Sequence, residues 1–277
     1  MRGGYDRLGR AVALAAALAF SMGCASAPLQ SARSNFYLGR FEAAEANLDR
    51  ELLEDHKDEV LFLMERGMVR QMAGHYADSA RDFINAADQL ERLETYSVSR
   101  GAASLAVNDT VQDFRGAPFE RTLLHAFAAK SHLAIASWDN AAVESRRIIK
   151  TLTPERLGGY PEDAYSRYIA GFCLQMIDDP SNAAMQYRRA AELTSQVMID
   201  EQGRLKGTGS NTVADAAGMA PDPSWTSELV CFVLAGRSPS GEDLYFDYPQ
   251  QYQPVYAELY VGDRRLGRSY VLADTVD

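Results

Sequence analysis

One short pattern recurs four times in this chain, and it limits the possible architecture more than any other feature. In "LFLMERGMVRQMAGHYADSARDFINAADQL", Gly67 lies seven residues before Gly74, and Tyr76, Phe83 and Ala86 follow at helical spacing. "FYLGRFEAAEANLDREL" repeats the arrangement with Gly39, Phe41 and Ala44. "AFAAKSHLAIASWDNAAVESRRI" does so with Ala129, Trp138 and Ala141. "YIAGFCLQMIDDPSNAAMQYRRAAEL" supplies Gly171, Ala183, Tyr187 and Ala190, with Pro180 in the turn. A small residue in the first helix lets the second lie close, Gly74 makes the turn, and the large and small apolar residues fill the seam. The turn positions Phe41, Tyr76, Trp138 and Pro180 are separated by 35, 62 and 42 residues. The first two units are therefore contiguous, a large insertion separates the second from the third, and a small one, "TPERLGGYPED", precedes the fourth.

A helix-turn-helix unit of this period resembles the tetratricopeptide repeat. The expected fold class is mainly α: a tetratricopeptide-like α-solenoid of about four helix pairs, one interrupted by an insertion, with a small C-terminal β-rich module. The module rests on "SELVCFVLAG", an apolar β-branched run, and on "VYAELYVGDRRLGRSYVLA", which alternates around a Gly-Asp turn as a hairpin does. The stretch between them and the repeats is rich in Gly, Asp and Ser and reads as a long exposed connection. Its "GRLKGTGS" lacks the order of a phosphate-binding loop. The expected boundaries are 1–23 for a signal peptide, 24–195 for the repeats, 196–225 for a linker and 226–277 for the β-rich module.

The first 23 residues give the address. A net-positive lead, "MRGGYDRLGR", precedes "AVALAAALAF", an apolar run too short to span a bilayer as a helix. "SMGCASAP" follows, with Gly23 directly before Cys24, and this resembles the bacterial lipobox. It departs from that pattern in having Ser21 where leucine is usual, and Ala25-Ser26-Ala27 offers a rival cleavage site followed by Pro28. The resemblance implies a lipid on Cys24. Ala25 after it carries no inner-membrane retention signal, so the expected location is the outer membrane, facing the periplasm. Without its first 23 residues the chain would keep 25 basic and 37 acidic residues, moving the formal charge from -10 to -12. With no basic stripe, nucleic acid is not an expected partner. Cys173 and Cys231 each lie among apolar residues and read as buried thiols, although pairing in an oxidising compartment is the alternative.

Within the large insertion, Asn108-Asp109, Phe114, Gly116 and Phe119-Glu120 are spaced as in a bacterial family of repeat-containing lipoproteins, which the chain resembles from the first repeat to the strands beyond Ser227. The family implies no biochemical activity. On the residues themselves, Asn108 and Asp109 suit a helix end and Gly116 a turn. Pro118 suits a first helical turn. Two readings follow: a structural clamp, in which Phe114 and Phe119 plug the gap between repeats two and three while Asp109 or Glu120 caps a helix, or a loop that contacts a ligand.

No catalytic constellation accompanies the repeats. His125 and His132 lie seven apart on one helix face, without the four-residue spacing or the glutamate of a zinc protease. No nucleophile elbow and no metal-spaced cysteine pair occurs, and the carboxylates read as solvent-facing. No metal and no cofactor beyond the covalent lipid is expected. The candidate surface is the concave face lined by the first helix of each pair: Met64, Met68 and Met72 in the second, and Tyr165, Tyr168 and Phe172 in the fourth. Methionines adapt to varied partners, and aromatics dominate interface energetics. The expectation is a scaffold that binds a protein or peptide in this groove, unless these side chains pack against the insertion or the β module instead. The alternatives are an activator of cell-wall synthesis, by analogy of fold, and a cryptic enzyme.

Overall fold

The computed structural model describes residues 27–53, 58–99, 116–194, 197–207, 232, 256–261 and 264–270. Within them the chain is mainly helical. The helices are α1 (Ala27–Tyr37), α2 (Phe41–Leu52), α3 (Glu59–Met72), α4 (Tyr76–Ser99), α5 (Pro118–Ala134), α6 (Trp138–Thr151), α7 (Pro154–Leu157), α8 (Ala164–Gln175) and α9 (Pro180–Leu193). Strands β1 (Val197–Ile199) and β2 (Leu205–Gly207) pair antiparallel, as do β3 (Tyr256–Val261) and β4 (Arg264–Tyr270). The leader 1–23, Cys24, Asn108, Asp109, Phe114 and Cys231 lie outside the described residues.

Eight of these helices form four pairs, each joined by the same turn. At Gly39, Gly74, Ala136 and Asp178 the backbone is left-handed, with φ of 70°, 83°, 56° and 60°. The bonds around each are identical in pattern. The Gly39 N–H donates to the Phe36 carbonyl and the Arg40 N–H to the Asn35 carbonyl. The equivalent pairs are Gly74 to Gln71 with His75 to Arg70, Ala136 to Leu133 with Ser137 to His132, and Asp178 to Gln175 with Asp179 to Leu174. This is the Schellman arrangement, which satisfies the last carbonyls of the first helix. The residue after the left-handed one then opens the next helix: its carbonyl accepts from Ala44, Ser79, Ala141 and Ala183 in turn.

A size rule fixes the packing inside each pair. An added Cβ on Gly67 would stand 2.9 Å from the Phe83 ring, and one on Gly171 would stand 2.8 Å from the Tyr187 ring. Both rings are fully buried, so glycine is what admits them. The first pair has Ala32 and Leu48 in the corresponding places, and the third has Ala129 and Ser145: the larger small residue accompanies the smaller partner. Between pairs, Ser79 meets Ser131, Phe83 stacks on Phe127 at 5.9 Å, and Glu94 pairs with Arg121. Sequence numbers rise on one side as they fall on the other, so α4 and α5 run antiparallel.

Two expectations change. The carboxylates are not all solvent-facing, because Asp82 and Glu144 are buried. The expected linker does not begin as an exposed connection either. Residues 197–207 form the β1–β2 hairpin, with Val197 opposite Gly207, and β1 packs on α9. Asp200 holds its turn by accepting from the Gln202 and Arg204 N–H groups, both at 2.9 Å. Gly203, at φ 75°, lies so close to Tyr187 that a Cβ there would stand 2.4 Å from the ring. In the expected C-terminal hairpin, β3 and β4 pair from Tyr256–Tyr270 to Val261–Arg264, with an irregularity between Leu259 and Tyr260. No helix among the described residues is long and apolar enough to cross a membrane.

Candidate functional site

The first helices of the second and fourth pairs, expected to share one apolar groove, differ in what covers them. On α3, Met64 and Met68 are partly buried and pack on the rim of a core cluster containing Val60, Leu63, Phe83 and Leu124. Met72, one turn further on, is 46% exposed. These three make a stripe that solvent reaches. On α8 the equivalent face is closed by the chain itself. Tyr168 is 7% exposed, and its hydroxyl donates to the Gly203 carbonyl at 2.9 Å. Phe232 meets the Phe172 ring edge-on at 5.6 Å and the Tyr168 ring at 6.2 Å. Tyr165 packs against the neighbouring cluster, and its buried hydroxyl has no hydrogen-bond partner. Burial pushes that phenol well above its ordinary value. Tyr168 is therefore core rather than groove lining, and Phe172 carries an internal cover. The reason is tertiary: the β1–β2 turn and Phe232 return to this face from more than thirty residues downstream.

Beneath the α3 stripe a buried polar bridge ties three helices together. Gln71 Nε2 donates to the Phe127 carbonyl at 3.0 Å and to Ser131 Oγ at 2.6 Å. Ser79 Oγ donates to the Gly67 carbonyl at 2.8 Å and lies 2.9 Å from Ser131 Oγ. Such a bridge fixes the register of α5 against α3 and α4, since a slip would strand buried donors.

Buried charges are compensated in clusters. Asp82 accepts from Arg66 Nη2 at 2.7 Å and Arg70 Nη1 at 2.8 Å, while Arg66 reaches Asp49 at 2.6 Å and Arg70 reaches Glu45 at 2.7 Å. This network joins α2, α3 and α4. Glu144 on α6 lies 2.8 Å from His125 Nδ1 and 2.9 Å from Arg147. Glu162 accepts from Arg167 at 2.9 Å and from Arg189 at 3.1 Å. Burial alone would raise the Glu162 carboxyl, but the two guanidinium groups hold it below the usual range. Burial lowers His132, with Glu144 opposing, and its Nδ1 has no partner. Cys173 is a free, buried thiol that burial pushes up to about 12. Such a thiol is a small hydrophobe rather than a nucleophile. No cluster of metal-ligating side chains occurs among the described residues.

The insertion motif is divided. Gly116 is left-handed, with φ 64°. Glu120 accepts from the Ala117 N–H at 2.6 Å, closing the first turn of α5, with Pro118 opening the helix. The Phe119 ring rests on Tyr160, at 5.5 Å, in the connection before α8. This contact joins the third helix pair to the small insertion ahead of the fourth; Phe114, the other half of the expected clamp, lies outside the described residues.

Sequence reasoning passed over Lys130. It is partly exposed on α5, its Nζ stands 5.0 Å above the Phe127 ring, and burial pushes its ammonium down to about 8. Superposing the four repeats would have singled it out, because Met68 and Phe172 take the same position in theirs. Compared with known protein families and with curated proteins, the chain matches no family model and no curated sequence.

Proposed function

We propose that this chain is a non-enzymatic scaffold that binds a protein or peptide along the face of its first-of-pair helices, with Met64, Met68 and Met72 as the principal contact stripe. The observation that carries the reading is the difference between α3 and α8. One presents three accessible methionines in successive turns, while the other has its aromatic face covered by Phe232 and Gly203. Adaptable thioether side chains on a rigid helix suit a docking surface.

In this reading the four helix pairs form a tetratricopeptide-like α-solenoid. The repeated Schellman turns and the Gly67–Phe83 and Gly171–Tyr187 size matches support it. In such solenoids each unit contacts mainly its neighbours, and the stack presents an extended surface. The β3–β4 hairpin belongs to a small β-rich module in the C-terminal part. The protein is anchored through lipid on Cys24 in the outer membrane, facing the periplasm. The resemblance to repeat-containing lipoproteins through Asn108, Asp109, Phe114, Gly116, Phe119 and Glu120 supports that address.

The test is in-cell cross-linking from a photoreactive residue at Met64, with and without a Met68→Glu, Met72→Glu pair. Both side chains reach solvent in part, so the double variant folds with an unchanged helical signal, and capture falls. A folded double variant that captures the same partners in the same yield overturns the reading.

A further inference from the structure

Aligned on the small residue of each first helix, the four pairs place Arg33, Met68, Lys130 and Phe172 at one position. Arg33 is neutralised by Glu65, with Nε at 2.9 Å. Met68 and Phe172 carry no charge. Lys130 is the exception: a partly buried cation for which no carboxylate among the described residues serves as partner. By contrast, Asp82, Glu144 and Glu162 each lie between two basic side chains.

The Lys130 ammonium stands over an aromatic ring. Phe127, under its Nζ, belongs with Met64 and Met68 to the same partly buried rim. An aromatic face offsets part of the lost hydration of an ammonium group, but less than an anion does. The depressed lysine value, about 8, reflects that uncompensated burial. A carboxylate brought in by a partner would supply the missing charge.

We propose that Lys130 is the anion-recognition residue of this face, and that the partner presents a carboxylate flanked by apolar side chains that settle on Met64, Met68 and Phe127. The inference rests on the proposed docking face. The carboxylate comes from an acidic side chain or from a chain terminus, and the experiment separates these.

In native extracts containing the full chain, a carbodiimide joins an amine to a carboxylate only where the two touch, forming an amide with loss of water to the reagent. Coupling of Lys130 to a second protein is expected, and the coupled peptide, read by mass spectrometry, shows either a side-chain or a terminal carboxyl beside apolar residues. In parallel, a photo-cross-linker at Met68 captures the same protein, and Lys130→Met lowers that capture about tenfold or more, as loss of a charge-assisted bond does. Lys130→Met stays folded, with a melting transition no lower than that of the wild type, so lost capture is not lost folding. Absence of coupling at Lys130, coupling to a carboxylate of its own chain, or undiminished capture by Lys130→Met each overturns the inference and leaves the docking face standing. Failure of Met68 to capture anything in the wild-type protein overturns both.

Discussion

Adding one methyl group at Gly67 tests whether size matching across the helix pair organises the fold. The new Cβ would stand 2.9 Å from Cε1 and Cζ of Phe83 and 3.1 Å from Cδ1. Phe83 is 1% exposed and stacked on Phe127, so its ring has no free direction in which to move. Overpacking of this kind costs about 1–3 kcal/mol. Alanine regains about 1 kcal/mol over glycine within a helix. Gly67→Ala should therefore lose about 1 kcal/mol net. Phe83→Leu alone should lose about 1–2 kcal/mol, through the vacated ring volume and the lost stacking on Phe127. The combined variant recreates the Ala32–Leu48 pairing that the first repeat already uses. Its loss should be smaller than the sum of the two by about 1 kcal/mol or more, since residues in contact do not act additively. Urea unfolding of the four proteins in a double-mutant cycle measures this coupling. Additivity within about 0.5 kcal/mol would refute the steric argument, because it would show that the alanine methyl and the phenyl ring do not compete for the same space.

Three further outcomes follow from single sites. Ala136→Gly should raise stability by about 1 kcal/mol in thermal unfolding, because Ala136 holds a left-handed φ of 56° that glycine adopts without strain. Lys130→Met should stabilise the protein by about 3 kcal/mol near neutral pH, the free-energy equivalent of lowering a lysine from 10.5 to about 8. Because the folded value lies below the unfolded one, this penalty is full below about 8 and fades as pH rises towards 10.5, so the advantage of the variant should vanish there. On the acid side, His132 is also lowered by burial, so the stability it contributes is present above its ordinary value of 6.5 and is lost as pH falls through it. Replacing it with Asn should flatten the fall of the melting temperature below about pH 6.5, and an unaltered pH profile would contradict its buried, neutral state.

The four helix pairs were legible in the sequence because what defines them is local. Gly39 and Gly74 mark turns that need a left-handed residue, and the small residue nine positions before each turn aromatic follows from helix geometry within a single pair. Even here composition was an incomplete guide. Ala136 and Asp178 take the same left-handed backbone without announcing it, since the hydrogen bonds of the turn, rather than the residue type, impose that conformation. The methionine stripe of α3 was legible for the same reason: a helical face is a matter of spacing. Which faces stay open was decided only in three dimensions. Tyr168 and Phe172 have the same spacing as Met64 and Met68, yet Gly203 and Phe232 return to cover them. The buried carboxylates of Asp82 and Glu144 look like any surface acid in the sequence until Arg66, Arg70 and His125 are brought around them from other helices. Lys130 is the converse case, a charge to which the tertiary structure brings no partner among the described residues. Helix, turn and pairing are dictated by neighbours along the chain. Exposure and charge compensation depend on residues far apart in sequence, and only the packed structure brings those together.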